Sequence, residues 1–211
     1  MLNVFFPEVP WEQIKCVGFD LDGTLYDEFA FIHQVYQAIL EENAACFEHL
    51  DPPLQYMLDR WLEKGSSYNR IFDETFERFG GGRSDKIIFI EQALKIFRRF
   101  EPDLVLSPRN RHLLDFLRSR FDIFLISDGS SPLQRRKFQA LRLDAFFPEG
   151  QVVFTGELGP EYCKPETGAF EKLQITHSPS EILYFGDRNI DREFARRLGI
   201  HFQKVYNMVP Q

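Results

Sequence analysis

The chain of 211 residues is long enough for one large domain or two small ones, and its 44% hydrophobic and 15% aromatic content can bury a substantial core. A formal net charge of −7 excludes a general nucleic-acid binder, which needs a basic footprint, but not a small anionic substrate held at a local site. Three scattered cysteines (Cys16, Cys46 and Cys163) exclude a disulfide framework and a zinc site, and no apolar run is long enough to span a membrane. The first eleven residues lack a basic n-region and contain Pro7, Glu8 and Pro10, so they do not read as a secretory signal. A reduced cytoplasmic protein is expected. The 23 phenylalanines fall in strand-like runs or at helical spacings, which marks most of them as core.

Residues 1–13 read as a short lead-in. An apolar strand is expected over 14–19, followed by Asp20-Leu21-Asp22 and a turn at Gly23 to Leu25. A long helix over 28–50 carries Ile32, Val35, Ile39 and Cys46 on one face, and Asp51-Pro52-Pro53 stops it. Further helices are expected over 54–64, 68–79 and 84–100, separated by Gly65-Ser66-Ser67 and by Gly80-Gly81-Gly82. The stretch 27–101 is thus an all-helical insert between 1–26 and 102–211.

From Glu101-Pro102 onward the pattern alternates. Ser107-Pro108 caps and opens a helix to 118. A strand over 121–126 ends at Ser127-Asp128-Gly129, and Ser131-Pro132 opens a helix to 141. A strand follows over 151–154, and Pro165 opens a helix to 174. A strand over 182–185 ends at Gly186-Asp187, a helix over 189–198 is closed by Gly199, and a last strand occupies 201–206. Repeated β–α units predict an α/β fold, a parallel sheet with helices on both faces. In such sheets, sites form at the carboxyl ends of the strands.

Those ends carry the chemistry. Asp20 and Asp22 leave the first strand towards a common space, where two close carboxylates repel. A divalent cation such as Mg²⁺, which prefers oxygen ligands, removes the conflict. The other ends supply a hydroxyl and backbone N–H groups at Ser127-Asp128-Gly129, a cation at Lys164, and further acids at Asp187 and Asp191. Together they suit phosphoryl transfer, which needs in-line positioning and neutralisation of charge on three oxygens. Taken singly, each has a plainer reading: a turn at Asp22-Gly23, a solvated Lys164, a capping Ser127, and an Asp191 favoured by a helix dipole. The five histidines show no ligand spacing, and Gly80-Gly81-Gly82 neither follows a strand nor matches a phosphate-loop pattern.

The motifs resemble those of the haloacid dehalogenase superfamily. Asp20-Leu21-Asp22-Gly23-Thr24-Leu25 is similar to its D-x-D-G-T-L first motif, Ser127 to the second, Lys164 to the third, and Gly186-Asp187 with Asp191 to the acidic fourth. The helical insert resembles the C1-type cap of the phosphoglycolate phosphatase-like branch. The resemblance implies a Rossmann-like core and a Mg²⁺-dependent phosphatase acting on a small phosphorylated metabolite. It implies Asp20 as nucleophile and Asp22 as general acid, then base. Mg²⁺ would sit on the carboxylates of Asp20 and Asp187 and the backbone carbonyl of Asp22, with Asp191 direct or through water. Ser127, the backbone at Asp128 and Gly129, and Lys164 would bind phosphate. Asp128 departs from the pattern, which has asparagine there; an ionised carboxylate only accepts, so its side chain must be protonated, paired or turned away.

Asp22 separates this chain from dehalogenases and phosphonate-cleaving relatives, which replace it. A phosphosugar mutase keeps both aspartates but often has valine where Thr24 stands. A phospho-receiver module is about half this length, and a catalytically silent interaction protein would not need all four motifs. In this reading the insert closes over the site, and Lys64, Tyr68 and Arg70 are its candidate substrate contacts. Nothing in the sequence chooses among phosphosugars, phosphoglycolate and nucleoside monophosphates, or fixes an oligomeric state.

Overall fold

The computed structural model describes residues 2–81 and 85–210. The chain forms two compact units. One comprises the residues up to Glu28 together with those from Asp103 onward, and the other is Phe29–Pro102.

The first unit is built on a six-stranded sheet. Its strands are β1 (Cys16–Phe19), β2 (Asp122–Ser127), β3 (Val152–Phe154), β4 (Ile182–Gly186), β5 (His201–Tyr206) and β6 (Val209–Pro210). The spatial order is β3-β2-β1-β4-β5-β6, parallel throughout except for the antiparallel β5–β6 pair. Every residue of β1 is buried, as a strand covered on both faces must be. Gly18 has a specific reason to lack a side chain: a Cβ there would lie 2.1 Å from Cζ of Phe124, whose ring crosses it. Phe19 stacks on Phe185 at 5.5 Å between centroids, and Tyr184 meets the Phe194 ring at 5.2 Å. The register aligns Phe19 with Leu125 on one side and with Phe185 on the other. Asp20, Ser127 and Asp187 therefore leave three adjacent strands at nearly the same level.

Helices α6 (Pro108–Arg118), α7 (Ser131–Ala140) and α8 (Asn189–Leu198) connect the strands. The Ser107 side chain caps α6 by accepting from Asn110 N–H, and Gly199 closes α8 in the left-handed conformation at φ +69°. The lead-in does more than enter the fold. After the short helix α1 (Leu2–Phe5), Phe6 is 2% exposed and packs its ring 5.1 Å from Phe185, and Trp11 donates to the Phe6 carbonyl.

The second unit is helical: α2 (Glu28–Glu42, entering from the first unit), α3 (Asp51–Lys64), α4 (Ile71–Phe79) and α5 (Lys86–Arg99). Edge-on phenylalanine contacts fill it, among them Phe31–Phe97, Phe47–Phe89 and Phe72–Phe97.

Several expected boundaries move. The helix expected over 28–50 ends at Glu42, because the Asn43 amide takes the Ile39 carbonyl; a separate 3-10 turn follows at Ala44–Cys46. Asp51-Pro52-Pro53 begins a helix rather than stopping one, since first-turn N–H groups have no intrahelical partner and proline costs nothing there. The helix expected from 68 starts at Ile71, after a turn in which Tyr68 N–H donates to Gly65. The expected start at Ser84 and the linker residue Gly82 lie outside the described residues; Asp85 caps α5 by accepting from Ile87 N–H. The helix expected over 165–174 is absent. That stretch holds turns and the 3-10 segment Phe170–Lys172, with Gly168 pressed against the Tyr162 ring; glycine weakens a helix by about 1 kcal/mol relative to alanine. No helix among the described residues is long and apolar enough to cross a membrane.

Candidate active site

All the elements of the site belong to the sheet-containing unit. Asp20 follows β1 directly, is 2% exposed, and donates its N–H to the Phe185 carbonyl of β4 at 2.9 Å. The chain then turns at Gly23, where φ is +75° and a Cβ would lie 2.6 Å from Asp187 Oδ2. Only glycine meets both conditions. The turn is held from behind, as Asn207 N–H and Met208 N–H donate to the carbonyls of Gly23 and Thr24. The buried Thr24 hydroxyl donates to Asp20 Oδ2 at 3.4 Å.

Three carboxylates converge here. Asp20, Asp187 and Asp191 each present an oxygen within 4.8 Å of the others. Lys164 sits among them, fully buried, 2.5 Å from Asp20 Oδ1 and 2.6 Å from Asp191 Oδ1. Tyr184 OH is 3.4 Å from the same ammonium and donates to the Ile126 carbonyl. Burial opposes the lysine charge, but Asp191 and Asp20 hold its pKa well above the ordinary value. Burial pushes the Asp20 carboxyl upward, and Asp191 and Asp187 add to it against the pull of Lys164. Burial and Asp191 raise Asp187 to about 6, with Arg188 and Lys164 opposing. Asp187 Oδ1 is buried without a hydrogen-bond partner. Asp191 Oδ2 accepts from Arg188 N–H at the start of α8, so this acid both caps the helix and pairs with the lysine.

Asp22 occupies a different setting. Its Oδ1 accepts from Tyr26 OH and lies 2.7 Å from Lys137 Nζ, while Oδ2 accepts from Gln134 Nε2 at 2.5 Å. Burial alone would raise this carboxyl; Lys137, Tyr26 and Gln134 outweigh it and hold it below the ordinary value. Gln134 also donates to Ser127 Oγ at 2.7 Å, which links the end of β2 to the loop after β1.

The unexpected Asp128 turns away from this space. Its carboxylate accepts from Thr155 Oγ at 2.8 Å and from the backbone N–H of Lys164 at 3.2 Å. Its side chain therefore fastens the segment that carries the lysine. Gly129, exposed and at φ +112°, follows it in a conformation that L side chains rarely adopt.

The three expected cap contacts lie in the helical unit. Lys64 and Arg70 are exposed. The Tyr68 hydroxyl donates to Glu74, whose carboxylate is also gripped by Arg60.

The sequence matches the haloacid dehalogenase-like hydrolase family over residues 14–199. The chain belongs to that family. It is 29% identical over 164 residues to a glyceraldehyde 3-phosphate phosphatase of Methanothermobacter thermautotrophicus, a match that covers 76% of this chain and 70% of that one. Among solved structures it is similar to a haloacid dehalogenase superfamily hydrolase of subfamily IA, variant 1, from Geobacter sulfurreducens. There the TM-score is 0.69 and the identity 23%, with coverage of 91% of this chain and 87% of that one. A Bacillus subtilis protein assigned to the same superfamily and solved with magnesium bound gives a TM-score of 0.64 at 18% identity, covering 91% and 86%. These likenesses identify the fold, and the family match makes the chain a hydrolase.

Within this hydrolase, sequence reasoning passed over Tyr26, Gln134, Lys137, Thr155 and Arg188. Burial works against the Arg188 guanidinium, yet Asp20, Asp187 and Asp191 hold its pKa above the ordinary value. For Gln134 and Lys137 a signal existed. They stand three apart on the helix that follows Ser127, on the same face as Ser131, although Gln134-Arg135-Arg136-Lys137 reads as a solvated polar run.

Proposed function

We propose that the protein is a phosphatase that hydrolyses a small phosphomonoester through an aspartyl-phosphate on Asp20. The observation that carries this reading is the separation of the two aspartates. Asp20 lies in the acid cluster with Lys164, while Asp22, two residues on, lies outside it among neutral donors and Lys137. One carboxylate is set up as a nucleophile and the other as a proton carrier.

The acid cluster fits a divalent cation. Its donors are hard oxygens, Asp187 Oδ1 has no hydrogen-bond partner, and the carboxyls of Asp20 and Asp187 are raised by burial and by the nearby Asp191. The carboxylates of Asp20 and Asp187 would hold Mg²⁺, with the Asp22 carbonyl and Asp191 as further ligands. When bound, Mg²⁺ supplies charge neutralisation for the carboxylates and the phosphoryl oxygens.

The residues of the chain then divide the reaction. Asp20 attacks phosphorus, and the bond to the leaving oxygen breaks as Asp22 delivers a proton to it. Asp22 next takes a proton from water, which attacks the phosphoryl group and returns Asp20 to a free carboxylate. Ser127, the backbone N–H groups that follow it and Lys164 steady the phosphoryl oxygens throughout.

A small phosphorylated metabolite is the substrate class. The Methanothermobacter relative, a glyceraldehyde 3-phosphate phosphatase, supports that class and makes a phosphorylated triose the first compound to try. The test is phosphate release from a panel of phosphomonoesters. The expected result is activity that needs Mg²⁺, stops with EDTA, and is lost in Asp20→Asn. Interconversion of sugar phosphate isomers without phosphate release would make the protein a mutase instead, and no turnover of either kind would favour a silent interaction protein.

A further inference from the structure

The polar face of α7 takes no part in the four motifs, yet it is buried. Ser131, Gln134 and Lys137 stand three residues apart and are each 3% exposed or less. Buried polar groups need partners, and those of Gln134 and Lys137 are functional side chains. Lys137 Nζ lies 2.7 Å from Asp22 Oδ1. Gln134 Nε2 donates to Asp22 Oδ2 at 2.5 Å and to Ser127 Oγ at 2.7 Å. A carboxylate only accepts, so the amide nitrogen rather than its oxygen must face Asp22. Its two N–H bonds are then divided between Asp22 and Ser127. The Ser127 oxygen accepts from Gln134, which leaves the hydroxyl hydrogen to point elsewhere.

We propose that Gln134 and Lys137 are positioning residues. Together they hold the Asp22 carboxyl where it meets the leaving oxygen, and Gln134 turns the Ser127 hydroxyl into a donor towards a phosphoryl oxygen. This assignment rests on the phosphatase reading. In the first step Asp20 bonds to phosphorus as the P–O bond to the leaving group breaks. The electron pair stays on that oxygen, which takes a proton from Asp22, the resting carboxylate having first taken one up from solvent. An aliphatic alkoxide leaves poorly and needs that proton, whereas p-nitrophenolate departs with little help. Misplacing Asp22 therefore penalises the two substrates unequally, while a purely structural role would penalise them alike.

The experiment compares kcat/KM, which covers the steps up to departure of the leaving group, for the best aliphatic ester of the panel and for p-nitrophenyl phosphate. Lys137→Met is expected to lose about 100-fold on the aliphatic ester and less than about tenfold on the aryl ester, within the span of general acid catalysis. Lys137→Arg recovers at least part of the aliphatic loss. Gln134→Ala shows the same inequality and also raises KM for both esters, because Ser127 loses its orientation. Should Lys137→Met not fold, as judged by circular dichroism, Lys137→Gln carries the same comparison. Equal losses on the two esters, or none, with an active wild type overturn the positioning role and leave the phosphatase reading standing. A wild type that hydrolyses neither ester overturns that reading, and this assignment with it.

Discussion

The ammonium of Lys164 lies 2.5 Å from Asp20 Oδ1, and the two side chains are 0% and 3% exposed. The same nitrogen reaches Asp191 at 2.6 Å, so one cation serves two buried acids. Lys164→Met strands both. Breaking a buried pair by removing one partner costs about 3–5 kcal/mol, so urea unfolding in EDTA should show a loss of that order. Adding Asp191→Asn to the same variant should restore part of it, because one stranded charge is gone. A single variant as stable as the wild type would show that the ion pair carries no such weight.

Gly23 is the second point at which geometry leaves little freedom. Its φ of +75° disfavours any side chain, and a Cβ would press on Asp187 Oδ2 at 2.6 Å. Gly23→Ala should lower stability by about 1 kcal/mol or more through the backbone alone. It should also displace Asp187 and weaken Mg²⁺ binding. Isothermal titration with Mg²⁺ checks the second effect: unchanged affinity would mean that Asp187 does not hold the ion.

The raised carboxyl of Asp187 gives a pH dependence of definite sign. Its pKa is about 6 in the folded protein against 3.8 for an ordinary aspartate, chiefly through burial and Asp191. Between those values the native state binds more protons than the unfolded chain, so stability falls as pH rises through the interval. Metal-free protein should therefore melt at a higher temperature near pH 5 than near pH 7. Asp187→Asn should reduce that difference while abolishing activity, the rest coming from Asp20, whose carboxyl is also raised by burial and Asp191. Asp22, lowered by Lys137, Tyr26 and Gln134 in spite of burial, acts in a different window. Its contribution is present above the ordinary aspartate value and lost as pH falls below it. Mg²⁺ needs the ionised Asp187, so its affinity should weaken as pH drops below about 6. A Tm that rises steadily from pH 5 to pH 7 in EDTA would contradict this account.

Asp20, Ser127 and Asp187 were legible in the sequence because each closes an apolar run, but the common space expected for Asp20 and Asp22 is not found. Asp22 lies past the end of β1, where period-2 alternation no longer applies, and its carboxylate pairs with Lys137 and Gln134 outside the acid cluster. α8 and β5 coincide with the expected 189–198 and 201–206, since the apolar spacing and Gly199 mark both limits. The failures have local causes. Pro52 and Pro53 are breakers in a helix interior but harmless in a first turn. Pro165 suggested a helix start, yet the chain over 165–174 instead wraps turns onto the sheet, burying Ala169 and Leu173. Gln134 and Lys137 look like solvent-facing residues until a partner 112 or 115 positions away is supplied by the tertiary fold. Phe6 gave no periodic signal at all, because a single ring packed on Phe185 needs none.

Asp128 is where the chain departs from the resemblance, and the structure gives that departure a use. Its carboxylate joins Thr155 Oγ to the backbone N–H of Lys164, so it acts on the position of the lysine rather than on substrate. Asp128→Ala leaves both donors without their acceptor, and an unsatisfied buried group costs about 1–3 kcal/mol. The Lys164 segment should loosen, and kcat should fall roughly tenfold on the scale of that energy. Asp128→Asn keeps one accepting oxygen for Thr155 but turns the other position into a donor facing Lys164 N–H, so a smaller loss is expected. Thr155→Val keeps the shape of the site and removes only the hydroxyl, and it should resemble Asp128→Asn more than Asp128→Ala. Steady-state kinetics on one phosphomonoester rank the three. If Asp128→Asn proves faster than the wild type, the carboxylate opposes the phosphoryl group instead of bracing the lysine.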